Sequence, residues 1–267
     1  DYAAFMMKNA GLLAGAPGTA VTTWDHVAEA GAVMASSGVP ADDKWCYAVN
    51  PFTQTNLASS QRSLGAGGAA GADVKSAHEK AIMTDNFAGM RVLSSTTLAS
   101  FTTPATGDLV GVVGAIDVTY VTAKDTMTQS IAVTGFGAFA GVIPAGTVVQ
   151  VTGRNRLNLS TRQPIIDGTG ANRLFTAVVT VDSAAFVGGA GTLIVSGPGI
   201  FEATGAYNTT DTAIAAADVI TILNADSTLF QPNLFWHKQA YGIGSVPIKK
   251  LYSTDTLATT DDGLRFR

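Results

Sequence analysis

The side chains that could do chemistry are few and scattered. There are three histidines, His26, His78 and His237, and one cysteine, Cys46. His78-Glu79 begins as a zinc-protease motif does, but the second histidine required four residues on is Ile82. His26 falls in the first turn of an expected helix and reads as solvated or locally bonded. His237, between Trp236 and Lys238, reads as a structural hydrogen-bonding group. One thiol and separated imidazoles make no zinc-ligating set, so the expectation is of no metal and no cofactor. No G-x-S-x-G elbow and no Gly-Lys phosphate loop occurs. Gly65-Ala66-Gly67 with Ala70 is a degenerate dinucleotide fingerprint; it follows no strand and reads as a loop. Asp42-Asp43 and Asp261-Asp262 lie in turn-like contexts, where aspartate bonds its own backbone. A glycosidase sets two carboxyls across a cleft, and nothing here nominates such a pair. The expectation is of a protein that is not an enzyme.

The one local basic cluster is Arg154, Arg156, Arg162 and Arg173, in and beside the polar segment 153–172. Nucleic-acid binding needs aromatic side chains between the cations for stacking, and none lies between Gly153 and Arg173. The segment reads either as a contact loop reaching acidic groups on another subunit or as a plain solvated loop. Net charge is −4, so no global basic field argues for nucleic acid. Residues 105–228 hold five Lys/Arg against nine Asp/Glu, while the remainder is balanced. Charged residues make up 13% of the chain, about half the usual share. A surface this poor in charge fits one largely covered by other protein, or a β-rich protein kept soluble by hydroxyls. A lone cysteine forms no intrachain disulfide. No signal peptide and no apolar stretch of membrane-spanning length is present. The chain starts without Met, and an upstream portion is expected to be lacking.

These groups must be positioned by elements of two textures. Residues 1–13 read as the end of a helix, with Phe5, Met6, Ala10, Leu12 and Leu13 as its apolar side, stopped at Gly15 and Pro17. Thr22 to Ser37 reads as a helix with a capping box at Thr22-Thr23-Trp24-Asp25, ended by Gly38 and Pro40. Trp45 to Val49 reads as a short buried strand. Asn50-Pro51 opens a helix running to about Gln61, with Asn50 as cap. Residues 65–71 read as a loop, 73–83 as a short helix and 90–96 as a strand. That order indicates an α/β or α+β domain with a small central sheet.

From about Ala105 the helical period vanishes and Gly/Thr turns recur. Alternation at Ile116, Val118 and Tyr120 predicts one strand, and five more are expected at 129–134, 147–152, 173–181, 191–196 and 218–224. Six short strands suggest a small closed or nearly closed β-barrel. Ala213–Ala217 reads as a short helical turn. Thr228 to Pro247 is the densest apolar run, with Leu229, Phe230, Leu234, Phe235, Trp236, Tyr241, Ile243 and Val246. It is expected to be buried, at roughly 1.5–3 kcal/mol for each large side chain, as a core return strand centred on Phe235 and Trp236 that completes the first domain. A turn at Asp262-Gly263 and a strand follow; the sheet is expected to need more sequence.

The order of these stretches resembles the "P-twenty-two" coat family of short-tailed, lambdoid-type bacteriophages. The residues that carry the likeness are Thr23-Trp24-Asp25-His26-Val27-Ala28-Glu29-Ala30, Asn50-Pro51, Gly89-Met90 through Ser94-Ser95-Thr96-Thr97, and Asn233-Leu234-Phe235-Trp236. Ala240 and Val246-Pro247 extend the last of them. The resemblance implies an α+β HK-ninety-seven-type capsid fold carrying an inserted six-stranded antiparallel β-barrel. It implies that 1–17 is the end of the spine helix, that 18–104 and 229–267 form the A/P-domain core, and that 105–228 is the barrel. It implies intersubunit contact near Thr122 to Gln129, including Lys124 and Asp125, with 153–172 as a second loop. The N-terminal arm, the extended loop and the start of the spine helix are expected to lie outside this sequence. The implied role is a major capsid protein, a homo-oligomer of hexamers and pentamers forming an icosahedral head, assembled in the host cytoplasm and resident in the virion. Implied partners are scaffolding and portal proteins, with DNA only as enclosed cargo and no membrane. A β-barrel adhesin or carbohydrate-binding module is the alternative, and a hydrolase with an unrecognised carboxylate pair is a third reading.

Overall fold

The structure is a computed structural model that describes residues 2–64, 86–87, 89–105, 109–116, 127–244, 258–259 and 265–266. Helix α1 is Tyr2–Lys8, shorter than the sequence suggests. Met7, rather than Phe5, is its buried residue; Phe5 is exposed. The helix stops because the next carbonyls find partners elsewhere. The Ser196 hydroxyl donates to Ala10 O at 2.6 Å and an Arg173 N–H to Leu13 O at 3.2 Å. Gly11 lets the two backbones close: a Cβ on Gly197 would stand 3.1 Å from Gly11 Cα.

Helix α2 is Trp24–Ser36, with Thr23 extended at its N-cap. Its capping box sits one residue later than expected, with His26 in the role usually held by Glu. The Thr23 N–H donates to His26 Nδ1 at 3.4 Å. Trp24, Val27, Ala30, Val33 and Met34 are buried, the spacing of one helix face. Gly38 follows the helix at φ 89°, a left-handed position that favours glycine.

Strand β1, Trp45–Val49, is buried at every residue because it is central. Helix α3 is Pro51–Leu64, and Asn50 caps it by accepting the Thr53 N–H at 2.6 Å. Strands β2, Asn86–Phe87, and β3, Met90–Ser94, follow. β3 runs parallel to β1, a pairing that needs a crossover connection, and α3 lies on it. The expected loop at 65–71 and helix at 73–83 lie outside the described residues. Strand β4 is Phe101–Thr102.

Six strands come next: β5 Val110–Ile116, β6 Thr128–Thr134, β7 Val148–Asn155, β8 Leu174–Val179, β9 Gly191–Ser196 and β10 Val219–Ile222. Each pairs antiparallel with two others, and the order β10-β5-β6-β9-β8-β7 closes on itself as a barrel. Alternate residues point inward. Val113, Ile131, Val149, Phe175, Leu193 and Ile220 anchor a core of their own. β5 begins at Val110, and the alternation expected at Val118 and Tyr120 lies outside the described residues. Gly111 and Gly114 obscured it in the sequence, yet Gly111 is required. A Cβ there would press on Thr134 O and come within 2.8 Å of the Phe136 ring. Ala213–Ala217 is a turn rather than helical, with Ala217 at φ 72°.

The chain leaves the barrel through β11, Leu229–Phe230, which pairs antiparallel with β4. Thr103 and Thr228 lock this two-stranded stalk. The Thr103 N–H donates to Thr228 O at 3.1 Å, and the Thr228 N–H to Thr103 Oγ1 at 3.1 Å. Strand β12, Leu234–His237, then pairs antiparallel with β1, giving a four-stranded sheet in the order β12-β1-β3-β2. The expectation of a fully buried run over 228–247 is corrected. β12 is an edge strand and only half-buried, while Leu229 and Ile243 are exposed. Val246 and Pro247 lie outside the described residues. Short strands β13, Ala258–Thr259, and β14, Arg265–Phe266, pair with each other. The architecture is α+β, mostly sheet with few helices.

Candidate functional site

The basic loop is ordered by its own sequence. Arg156 N–H bonds Arg173 O, Ile165 N–H bonds Arg156 O and Asn158 N–H bonds Gln163 O, each within 2.8–3.0 Å. Leu157 and Ile165 are buried beneath it. Asp167 closes the loop's far turn, where its Oδ1 accepts the Thr169 hydroxyl at 2.7 Å and the Thr169 and Ala171 N–H groups. Those bonds hold its carboxyl below the ordinary value.

The three arginines expected at an intersubunit contact find partners inside this chain. Arg154 grips Asp218 with two parallel hydrogen bonds, Nε to Oδ2 at 2.7 Å and Nη2 to Oδ1 at 2.5 Å, and reaches Thr212 Oγ1 at 2.8 Å. This fork lowers the Asp218 pKa and raises that of Arg154. Arg156 donates to Thr176 O at 3.0 Å and lies over the Phe175 ring, 6.0 Å from its centroid. Burial pushes its pKa down to about 10, with the Arg173 charge adding to that. Arg162, at φ 58°, donates to Asn208 O at 2.7 Å. Lys124 and Asp125 lie outside the described residues.

The loop's tip performs a task that sequence reasoning missed. Asn158 Nδ2 donates to Ser36 O at 2.7 Å, the Leu159 N–H to Ser37 O at 3.1 Å, and Ser160 Oγ to Gly38 O at 3.4 Å. Three successive carbonyls at the end of α2, which a helix leaves unsatisfied, are thus capped from the barrel. Asn158 is held in place because its own Oδ1 accepts the Ser160 and Thr161 N–H groups at 2.8 and 2.9 Å. The available signal was Asn158 two residues ahead of Ser160 in a loop too long to be a plain connection.

On the opposite side, Phe235 stacks against Tyr47 with centroids 6.5 Å apart, and Trp236 pairs in register with Cys46. His237 ends β12 as the hydrogen-bonding group it was read to be. Its Nε2 lies 3.1 Å from Asp42 Oδ1, while Nδ1 accepts the Gln239 N–H at 3.1 Å. That acceptance assigns the proton to Nε2, which donates to Asp42. Lys44 Nζ also reaches Asp42, at 3.3 Å. Burial raises the Asp42 carboxyl, but the Lys44 N–H, the His237 ring and the Lys44 ammonium outweigh it and hold it low. Burial pushes the Tyr47 phenol up to about 12.

Among the described residues, two clefts lie between the barrel and the base, which is formed by the helices and the four-stranded sheet. One of about 680 Å³ runs between the 10–20 segment and the return segment, past Tyr47, Phe101, Phe230 and Asn233. The second, about 530 Å³, lies between α2 and strands β7 and β8. Among the described residues, no group of three or more His, Cys, Asp or Glu is placed to hold a metal, and no helix is long and apolar enough to cross a membrane. His78 and Asp261-Asp262 lie outside the described residues.

The arrangement is that of a braced scaffold: cations, amides and hydroxyls join one element to another. Residues 1–267 match the family described as P22 coat protein, gene protein 5. A major capsid protein of Acyrthosiphon pisum secondary endosymbiont phage 1 is 31% identical over 269 residues, a stretch that covers 100% of this chain and 62% of that protein. The chain therefore spans about 62% of the length of the curated relative it matches. With the match running from first residue to last, this chain belongs to the P22 coat protein family.

Proposed function

We propose that this chain is the shell-forming body of a tailed phage's major capsid protein, acting by assembly with copies of itself and not by catalysis. The observation that carries this reading is the family match over residues 1–267. In this reading the fold is of the HK-ninety-seven type. Residues 18–104 and 229–267 are the A/P-domain core, 1–17 is the end of the spine helix, and 105–228 is the inserted barrel. The stalk of β4 and β11, which brings Thr103 and Thr228 together, supports an insertion at that point. Contact between neighbouring capsomers belongs to about 122–129, with Lys124 and Asp125, and to the half-exposed Arg154, Arg156 and Arg162, which bonds within the chain hold in place. Copies form hexamers and pentamers of an icosahedral head in the host cytoplasm, with scaffolding and portal proteins as partners and DNA as enclosed cargo. Many moderate contacts add by multivalency in such a shell.

A sugar-binding barrel is disfavoured by where its aromatics lie. Phe136, Phe139, Phe175 and Phe186 are in the barrel core, and Tyr207 is the one strongly exposed aromatic among the described barrel residues. The test is negative-stain electron microscopy of the full-length gene product expressed with its scaffolding partner. Closed shells of uniform diameter are expected. A monodisperse monomer or small oligomer sinks the reading.

A further inference from the structure

We propose that the polar cleft between α2 and strands β7 and β8 binds a small oxyanion between Arg156 and Arg173. The two arginines stand side by side on neighbouring segments, since the Arg156 N–H donates to Arg173 O at 2.8 Å. Like charges facing each other across paired segments destabilise them unless something intervenes. Both residues line the same cleft of about 530 Å³, together with Gln150, Asn172 and Thr176.

A guanidinium carries five N–H donors. For Arg156 one is bonded, to Thr176 O at 3.0 Å. No carboxylate among the described residues pairs with it. Two acids do line the cleft, and each spends one oxygen on a bond elsewhere. Glu29 Oε1 accepts the Gly15 N–H at 3.0 Å, and Asp167 Oδ1 closes its own turn through Thr169 and Ala171. Asp167 eases the charge of Arg173 but leaves Arg156 without a counter-ion. Arg156 is half-buried, with a backbone oxygen and the Phe175 ring face as its contacts. Withdrawing a cation from water without an anionic partner is costly, and the lowered pKa of Arg156 is the same cost seen from the proton's side. An oxyanion would answer both facts: it accepts several N–H bonds from planar forks and cancels the repulsion between the two cations. Bound there, it would pin the barrel to the base, because Arg173 also holds Leu13 O at 3.2 Å. The inference does not depend on shell assembly.

The test uses the whole chain and inorganic phosphate, with sodium chloride at matched ionic strength as control and acetate as the carboxylate arm. Binding to the folded state alone stabilises steeply near Kd and then only with the logarithm of ligand concentration, whereas general exclusion of phosphate from the surface acts in proportion to its concentration. The expected result is a rise in melting temperature that follows the logarithm of phosphate concentration, and broadening of the phosphorus-31 resonance at millimolar phosphate. Arg156→Gln and Arg173→Gln each weaken this about tenfold or more. Acetate acting as well as phosphate assigns the site to carboxylates; phosphate alone assigns it to tetrahedral anions. If Arg156→Gln fails to fold, Arg173→Gln and the wild-type titration still decide. No logarithmic rise with either anion and no phosphorus-31 broadening with phosphate on the wild type, or effects of equal strength in Arg173→Gln, overturn the proposal.

Discussion

Arg154 and Asp218 show what the polar residues of this chain are for. Their fork joins β7 to the turn before β10, and Asp218 Oδ2 also accepts the Ala215 N–H at 2.7 Å. Charge-assisted bonds of this kind contribute about 1.5–3 kcal/mol. Arg154→Met is expected to lose that much in urea unfolding followed by far-ultraviolet circular dichroism. The pair also sets an acid limb. Arg154 holds the folded Asp218 pKa below its unfolded value near 3.8, and Asp42 and Asp167 are shifted the same way. A depressed folded pKa gives stability that is complete above the unfolded value and lost as pH falls through the folded one. The melting temperature is therefore expected to fall below about pH 3.8, and Asp218→Asn to flatten part of that fall while lowering stability at neutral pH. An unchanged acid limb in the variant would remove Asp218 from the account.

At the scale of elements, α2 ends on side chains that belong to the barrel. Asn158→Ala removes the bond to Ser36 O and releases two loop N–H groups. The expected cost is about 1–3 kcal/mol, with faster amide exchange in the last turn of α2 and none in the barrel core. Gly38→Ala attacks the same joint from the other side. It forces φ 89° on an L-residue and puts a Cβ 2.8 Å from Ser160 Oγ, at about 1–2 kcal/mol for the backbone alone. Equal thermal stability of Gly38→Ala and the parent would show that the joint carries no weight. β12 is the weaker partner of its sheet, since it is short, half-buried and at an edge. Its His237–Asp42 contact and the Lys238 N–H to Lys44 O bond at 2.9 Å fix its end against β1.

At the scale of the whole molecule, the barrel has a closed hydrogen-bond ring and a separate core, and the chain enters and leaves it through adjacent strands. Replacing 105–226 by a short turn is expected to leave the base folded but weakened, because α2 loses its cap. All three tryptophans, Trp24, Trp45 and Trp236, lie outside the barrel, so their fluorescence reports the base alone. A native-like emission maximum with a lower melting temperature is the expected outcome. Tryptophan emission like that of the unfolded chain would mean that base and barrel fold only together.

Local signals made the elements legible. Capping residues at Thr23 and Asn50, the apolar spacing of α2, the five-residue run of β1 and the turn-bounded strands of the barrel depend on neighbours in sequence, and so did the family likeness carried by Asn233 to Trp236. What tertiary structure decided depends on residues far apart. α1 ends early because Ser196 and Arg173 take its would-be carbonyls, β5 needs Gly111 because Thr134 and Phe136 crowd it, and the arginines of 153–172 find partners within the chain. A charged or amide side chain carries no local sign of its partner, since the bond it makes is chosen by which distant backbone the fold brings within 3 Å. Periodicity announces a strand or helix, but only closure of the barrel and return of β12 to β1 determine which polar groups meet.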